Sequence, residues 1–375
     1  MNLDAIPIFD HHAHALFKET YWRSEPIEGC YTEAYDPQIL EHFVHETLYF
    51  RRSIRELATY YDCEAKQEAV LEARQNWNYQ ELAQKMFAQA NISHWLIDDG
   101  IWVDRLMSVK ESAEFIPVKV KRVLRLEAEL AKFIERFDQV DALLEAFQNF
   151  LYQEAPSLAG FKSIIAYRTG LNIQRPAKAE LNRSFDDLRK NLKPGELPRV
   201  NTKALLDECL WLGAEVAAKT QKPLQFHTGY GDPDLDMRLA NPLHLRTLLE
   251  APDLRGLNVV MLHCYPYIKE AGYLASVYSG AYLDLGLTIP YTSRHAMRTS
   301  VHEALHLSPI SKVLFSTDAQ RSPEMFYLAA KWAREVIGEV LTQTVKDDDL
   351  THDEAYWAAE RILFGNAFEL YGAEE

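Results

Sequence analysis

The sequence has few cysteines, no long apolar run and no basic leader. Its four cysteines are scattered along 375 residues without a CxxC pair, which is typical of free thiols in a reducing compartment. No apolar run approaches the roughly 18 residues that a membrane-spanning helix needs. The N-terminal stretch "MNLDAIPIFD" lacks the basic start and apolar core of a signal peptide. We therefore expect a cytoplasmic protein with no membrane partner.

Basic residues are also in deficit. The chain has 55 acidic against 40 basic side chains, a formal net charge of -15 and an isoelectric point near 5.4. Nucleic acids and anionic membranes bind basic faces, so the charge argues against both as partners. It says little about a small-molecule substrate, which we expect as the partner, because the charge of a local site can oppose the global sign. Because symmetric oligomers are common among soluble enzymes, we also expect a homo-oligomer.

Eight short apolar runs, each followed by a helix-like segment, form the main pattern of the sequence. They lie near residues 8, 97, 122, 163, 225, 261, 284 and 315. This alternation predicts parallel strands covered by helices, and eight is the number of strands that closes a (β/α)₈ TIM barrel. An open doubly wound sheet is the alternative, but its usual GxGxxG turn is missing after the first run. The pattern predicts a single TIM-barrel domain over residues 1–375.

A long gap follows the first run. About eighty residues precede the second run, far more than a barrel helix needs. Apolar residues at helical spacing predict a helical insertion over residues 17–90. Since the insertion follows the first strand directly, it must emerge on the face where barrel enzymes carry their active site. It is either a lid over that site or a helical layer for subunit contact.

Three histidines stand at the end of the first run, in "FDHHAH". In a strand, side chains two residues apart lie on one face, so His12 and His14 point together while His11 faces the other way. Two neighbouring neutral imidazoles can chelate a divalent transition metal. A histidine-rich strand end can also be plain surface, and the metal hypothesis therefore requires further ligands elsewhere.

The ends of later runs supply such side chains. His227, His263 and Asp318 follow the fifth, sixth and eighth runs, and working residues of TIM barrels lie at the C-terminal ends of strands. Nitrogen and carboxylate ligands suit zinc, with manganese, iron or nickel as alternatives. The remaining polar residues at strand ends are Asp98, Asp99, Glu127, Lys162 and Asp284.

With these residues in place, the chain resembles the amidohydrolase superfamily of metal-dependent TIM-barrel enzymes. That superfamily carries HxH on strand one, often lysine on strand four, histidine on strands five and six, and aspartate on strand eight. The stretches "DHHAH", "GFKSIIAYRTGL", "LDLGLTIP" and "KVLFSTDAQRSPE" further resemble the amidohydrolase part of nodulin–glutamine-synthetase-like fusion proteins. The matching positions are His12, His14, Lys162, His227, His263 and Asp318.

The resemblance implies one or two divalent ions, most simply zinc, held by His12, His14, His227 and Asp318. It gives Asp318 the role of accepting a proton from water and passing it to a leaving amine. His263 would stabilise the developing oxyanion or bind a second metal. In two-metal members a carboxylated lysine bridges the ions, which is one role for Lys162. The alternative is a lysine that pairs with a carboxylate such as Glu127 or binds a substrate acid.

Arg168, Asp98 and Glu127 are the candidates for substrate binding. Arg168 lies six positions beyond Lys162, so both side chains share one strand face if the strand runs that far. Its guanidinium could then bind a substrate carboxylate through two hydrogen bonds. Alternatively, Arg168 lies in a loop and pairs with a nearby acid. Adjacent side chains on a strand point opposite ways, and of Asp98 and Asp99 we expect Asp98 to face the site. The sequence thus predicts hydrolysis of an amide or related C–N bond in a small carboxylate-bearing substrate.

Three alternatives to this function remain open. Decarboxylases of the same superfamily use the same histidines and aspartate, and it is Lys162 that favours hydrolysis. The stretch "VHEALHL" satisfies the HExxH pattern of zinc peptidases through His302, Glu303 and His306. However, a turn and a buried strand follow it, and as an outer helix of a barrel it would expose both histidines. A non-catalytic binding protein is the third alternative, against which the intact ligand set argues.

Overall fold

The computed structural model describes residues 1–193 and 195–372 and contains nine β-strands in that part of the chain. Most are short and wholly buried, which explains their nearly continuous apolar sequences. In chain order the strands are β1 Ile8–Ala13, β2 Ile92–Asp98, β3 Lys119–Arg125, β4 Gly160–Ser163, β5 Leu224–His227, β6 Val259–Leu262, β7 Ala281–Asp284, β8 Gly286–Leu287 and β9 Val313–Leu314.

The eight apolar runs of the sequence correspond to β1–β7 and β9, which form one eight-stranded sheet. The strands are hydrogen-bonded in chain order, β1-β2-β3-β4-β5-β6-β7-β9. The pairs β1–β2, β3–β4, β4–β5, β5–β6 and β6–β7 are parallel. A parallel α/β fold is therefore confirmed, while closure of the sheet into a TIM barrel stays a prediction.

Helices lie between consecutive strands of the eight-stranded sheet, as the alternating pattern requires. Among the described residues no helix combines the length and the apolar character needed to cross a bilayer. The α-helices are α1 Glu19–Ser24, α2 Leu48–Tyr61, α3 Gln67–Gln75, α4 Tyr79–Gln89, α5 Val109–Phe115, α6 Leu126–Ile134, α7 Val140–Glu154, α8 Lys178–Lys190, α9 Lys203–Thr220, α10 Arg246–Leu249, α11 Ile268–Val277, α12 Thr288–Tyr291, α13 Arg294–Leu307, α14 Pro323–Lys346, α15 His352–Glu360 and α16 Asn366–Tyr371.

Local sequence signals set several helix ends. The Thr47 side chain accepts a hydrogen bond from the Phe50 amide at the start of α2, and Asp62 ends that helix in the left-handed conformation, with φ of 53°. Ser108 and Glu111 form a reciprocal capping box at the start of α5. These caps satisfy backbone groups that the helices leave without an internal partner.

The described chain forms two compact units, and each has its own buried apolar residues. The prediction of a single domain over residues 1–375 is not decided by this division. The first unit comprises Met1–Lys121, Leu285–His306 and Val313–Glu369, and the second comprises Arg122–Asp284, Leu307–Lys312 and residues 370–372.

Helices α1–α4 lie between β1 and β2 in the first unit, and a buried ion pair fixes α3 to the start of α14. Arg74 Nε donates to Glu324 Oε1 at 2.6 Å, and Arg74 Nη2 donates to Ser322 Oγ at 3.1 Å. The guanidinium also lies 4.0 Å from the centre of the Trp22 ring. Burial alone would raise the pKa of the Glu324 carboxyl, but Arg74 and the Ser322 hydroxyl outweigh it and hold the pKa below its ordinary value.

We expect Arg74→Met to lower the free energy of unfolding by about 3–5 kcal/mol, because it leaves the Glu324 carboxylate buried without its cation. Denaturant unfolding at neutral pH measures the difference. The matched control is Arg23→Met, since Arg23 pairs with Glu19 on the surface of α1 and exposed pairs contribute about 1 kcal/mol or less. Equal effects of the two substitutions would contradict a stabilising role for the buried pair.

The same pair predicts a pH dependence. The pKa of Glu324 is lower in the folded chain than its ordinary value of 4.5, so the unfolded chain takes up this proton first as the pH falls. The contribution of the pair is therefore fully present well above pH 4.5 and is lost as the pH falls through the folded pKa. The unfolding free energies of the wild-type chain and Arg74→Met should converge below pH 4.5, and a constant difference would contradict this linkage.

Candidate metal centre

The end of β1 lies beside the segment that follows β9, and backbone hydrogen bonds join the two. The amide of Asp318 donates to the carbonyl of His12 at 3.1 Å, and the amide of His14 donates to the carbonyl of Ala319 at 2.9 Å. This ladder brings Asp318 level with both histidines. Asp318 itself has φ of 49°, a left-handed conformation that its neighbours' hydrogen bonds hold in place.

Three of the predicted metal ligands meet at this position in the first unit. His12 Nε2 lies 3.2 Å and His14 Nε2 lies 4.0 Å from Asp318 Oδ1. The donor atoms of His12, His14 and Asp98 lie within 4.8 Å of one another. His12, His14 and Asp98 are buried. Two imidazole nitrogens and carboxylate oxygens that converge in a buried position fit a divalent ion such as zinc.

A hydrogen bond to the backbone sets the tautomer of His14. Its Nδ1 lies 2.8 Å from the carbonyl oxygen of Asp98. A carbonyl only accepts hydrogen bonds, so Nδ1 carries a proton, and in the neutral ring Nε2 then presents its lone pair towards Asp318. Metal-binding histidines are commonly oriented in this way by their other ring nitrogen. The geometry therefore prepares His14 Nε2 to act as a ligand.

Asp10 is a structural element of the site that sequence reasoning did not identify. Its Oδ1 accepts a hydrogen bond from the Thr317 amide at 2.8 Å, and its Oδ2 accepts one from Thr317 Oγ1 at 2.6 Å. Asp10 is fully buried, so these bonds satisfy a charge that would otherwise be costly to bury. The carboxylate thereby fixes the residue directly before Asp318. The only indication in the sequence was that Asp10 lies two residues before His12 in "FDHHAH" and therefore on the same face of the strand.

His227 and His263 lie together in the second unit, with ring centres 4.7 Å apart. Tyr167, which sequence reasoning also missed, places its hydroxyl 3.1 Å from His227 Nδ1. The backbone of Gly231 passes close to the other nitrogen, since a methyl group at this position would lie 2.8 Å from His227 Nε2. The amide of His263 donates to Asp284 Oδ2 at 3.2 Å, and both histidines are buried.

Lys162 and Glu127 do not form the pair that the sequence allowed. Lys162 is buried in β4. Glu127 lies in the first turn of α6, where its Oε1 accepts hydrogen bonds from Ser163 Oγ at 2.6 Å and the Ile164 amide at 3.1 Å. Burial raises the pKa of the Glu127 carboxyl despite these bonds. Within the described part of the chain, Glu127 thus holds the end of β4 rather than neutralising Lys162.

Arg168 is not on the strand that carries Lys162. Strand β4 ends at Ser163, and a 3₁₀ turn over Ile165–Tyr167 follows it. The expectation that Arg168 shares a strand face with Lys162 therefore does not apply. Burial, with the nearby Arg199 cation, lowers the pKa of the Arg168 guanidinium. Its role in binding a substrate carboxylate stays a prediction.

The HExxH stretch lies on α13, as its helical spacing suggests. His302 is half-buried and His306 is exposed. Across residues 1–193 and 195–372, neither histidine belongs to a group of three potential ligands close enough to hold an ion. The geometry therefore favours the strand-end residues over this helix as the metal site.

The chain is similar to several known proteins. The amidohydrolase family model matches residues 171–373. A protein of Lactobacillus casei, named only as a metal-dependent hydrolase, has a solved structure that superposes with a TM-score of 0.87 at 30% identity, covering 98% of this chain and 96% of that one. A uronate isomerase of Bacillus halodurans superposes with a TM-score of 0.68 at 12% identity, over 99% and 94% of the chains, which shows similarity of fold alone.

Among curated proteins, fluG of Emericella nidulans is 33% identical over 407 residues. The match covers 98% of this chain and 46% of fluG. The chain therefore spans about half the length of this relative.

We expect Gly231→Ala to lower metal affinity at least about tenfold if His227 is a ligand. The added methyl group would lie 2.8 Å from His227 Nε2 and 2.3 Å from the Tyr167 hydroxyl oxygen, so the side chains must move. Metal content and affinity are measured by elemental analysis and chelator competition. Tyr167→Phe alone is the matched variant, since it removes the hydroxyl beside His227 Nδ1 without adding a methyl group. Unchanged affinity in a folded Gly231→Ala protein would argue against His227 as a ligand.

Proposed function

The chain belongs to the amidohydrolase family, and from this premise we propose that it is a metal-dependent hydrolase of an amide or related C–N bond in a small carboxylate-bearing substrate. The observation that carries the proposal is the convergence of His12, His14 and Asp318, with Asp98 beside the histidines. Ligands of this kind from strand ends are the arrangement on which the family's chemistry depends.

We propose that His12, His14 and Asp318 hold a divalent ion, most simply zinc. When bound, such an ion supplies Lewis-acid chemistry, which lowers the pKa of water and polarises a carbonyl oxygen. The family pattern further assigns His227, and Lys162 in a two-ion site, to the ligand set. These two assignments, and the closure of the sheet into a TIM barrel that would bring all strand ends to one face, are part of the proposal.

The chain's own residues account for the proton transfers of amide hydrolysis. Asp318 is held by the β1 ladder and by the Asp10–Thr317 hydrogen bonds, so its carboxylate is positioned to take a proton from water. The same carboxyl group then returns the proton to the leaving nitrogen, without which an amide anion would have to depart. His263, whose amide is anchored to Asp284, is the proposed donor to the developing oxyanion.

Removal of the ligands tests the metal site. We expect His12→Ala and His14→Ala to lose bound metal and to lose hydrolytic activity, because each removes a nitrogen that converges on Asp318. His306→Ala is the matched control, since His306 is exposed on α13. The control also tests the HExxH alternative, which requires His306 as a ligand. Retention of metal by His12→Ala, or loss of metal from His306→Ala, would contradict the proposed site.

A substrate screen separates hydrolysis from the other reactions. We expect carboxylate-bearing amides to release amine or ammonia in the presence of added zinc or manganese. Release of carbon dioxide from aromatic or dienoic acids would instead identify a decarboxylase. A protein that binds metal but converts no amide, lactone or acid in the screen would support the binding-protein alternative and contradict the proposal.

We propose that part of the segment 17–90 covers the substrate. Helices α2 and α3 are fixed to the first unit by buried contacts, for instance from Arg52 Nη2 to the Pro290 carbonyl at 2.7 Å and from Arg74 to Glu324. Residues 25–47, between α1 and α2, line a cavity together with Phe17 and Trp102. We therefore propose that these residues form a fixed wall beside the substrate, on the unit to which α2 and α3 are anchored.

A further inference from the structure

A cavity of about 510 Å³ lies in the first unit, beyond the ends of the two segments that carry the metal ligands. This volume is in the range that holds a small-molecule ligand. Its lining includes two arginine cations, three glutamate carboxylates, three aromatic rings and further residues of the stretch between α1 and α2. The residues that matter for its chemistry are Phe17, Glu28, His45, Trp102, Arg105 and Arg321.

The cavity wall continues the same backbone ladder that positions the ligands. Arg321 lies three residues after Asp318, and Phe17 lies three residues after His14. The amide of Arg321 donates to the carbonyl of Ala15 at 3.1 Å, and the amide of Phe17 donates to the carbonyl of Arg321 at 2.9 Å. Arg321 and Phe17 are therefore held in a fixed register with the residues that converge on Asp318.

Arg321 is a cation whose charge is not neutralised by a neighbouring side chain. Throughout residues 1–193 and 195–372, no carboxylate lies within ion-pair distance of its guanidinium. Its Nη1 donates to the carbonyl of Gly29, while its Nε has no hydrogen-bond acceptor in that part of the chain. The second cation of the lining, Arg105, is already paired with Glu25 at 3.0 Å. Arg321 is thus the cation available to an anionic ligand.

An aromatic surface accompanies this cation. The guanidinium carbon of Arg321 lies 3.7 Å from the centre of the Trp102 ring. The Trp102 ring is nearly parallel to that of Phe17, with centres 6.3 Å apart and an angle of 8°. Trp102 remains 42% exposed, which is unusual for so large an apolar side chain. The rings offer flat apolar area beside the guanidinium, which suits a ligand with both an anionic group and an apolar body.

We propose that this cavity binds the carboxylate arm of the substrate, with Arg321 as the residue that selects for it. The inference rests on the proposed function, because it takes the ligands near His14 and Asp318 to be the reacting end of the site. A guanidinium presents a planar fork of donors that matches a carboxylate. Glu28, held by Gln67 Nε2 at 2.5 Å, adds negative charge to the lining and disfavours ligands with several anionic groups.

Equilibrium binding of benzoate to the metal-loaded protein tests the inference without requiring turnover. Benzoate combines one carboxylate with a planar apolar ring, and benzamide is its neutral counterpart of the same shape. We expect benzoate to bind more tightly than benzamide. Arg321→Met should weaken benzoate binding at least about tenfold, or ~1.4 kcal/mol, while the affinity for benzamide changes little.

Three further variants make the result specific. Trp102→Ala should weaken both benzoate and benzamide, since it removes the flat apolar surface. Arg168→Met tests the other candidate for the carboxylate, because a loss of benzoate affinity in this variant alone would assign the carboxylate to Arg168 instead of Arg321. Arg23→Met, on the surface of α1 and paired with Glu19, is the matched control for removal of a cation from the first unit. Metal content of each variant, measured in parallel, shows that the ligand cluster is intact.

Four results would overturn the inference. They are no detectable benzoate binding to the wild-type protein, equal binding by Arg321→Met, loss of binding on Arg168→Met alone, and equal losses for Arg321→Met and Arg23→Met. Equal binding by Arg321→Met would indicate that the carboxylate binds elsewhere, for instance at the metal. These outcomes are distinct from failure of the proposed function, because a protein that hydrolyses no amide can still show an Arg321-dependent benzoate affinity.

Discussion

The site depends on the pairing of two chain segments, residues 12–17 at the end of β1 and residues 317–321 after β9. Alternating backbone hydrogen bonds fix their register, and a change of register by one residue would turn every side chain to the opposite face. Asp10 reinforces the pairing by binding both the amide and the hydroxyl of Thr317. The positions of His12, His14 and Asp318, and further along of Phe17 and Arg321, all follow from this one parallel contact.

The strands and the ligand types could be predicted from sequence because both are local signals. Short apolar runs between helical segments mark buried parallel strands, and the HxH spacing places His12 and His14 on one face of a strand. Asp98, which was expected to face the site, is buried and offers a ligand atom within 4.8 Å of those of His12 and His14, while Asp99 is half-buried. Alternation of side chains along a strand indicated that at most one of the two could face the site.

The contacts that complete the site could not be predicted, because they join residues far apart in the chain. Nothing near Glu127 indicates that its carboxylate accepts hydrogen bonds from Ser163 and Ile164, which is why a pairing with Lys162 was plausible. The sequence also did not show that β4 ends at Ser163. Arg168 was expected to share a face with Lys162 only if the strand continued that far. Arg321 was overlooked because its significance lies in Trp102, Gly29 and an absent counter-charge, none of which is adjacent to it in sequence.

The discontinuity of the two units has a consequence for synthesis on the ribosome. The main stretch of the second unit, Arg122–Asp284, is continuous, and domains generally fold as units during synthesis. The first unit combines segments that lie before and after that stretch, and its Arg74–Glu324 pair spans 250 positions. His12 and His14 are therefore synthesised before this stretch and Asp318 after it, so the ligand cluster can form only once the continuous part of the second unit has been made.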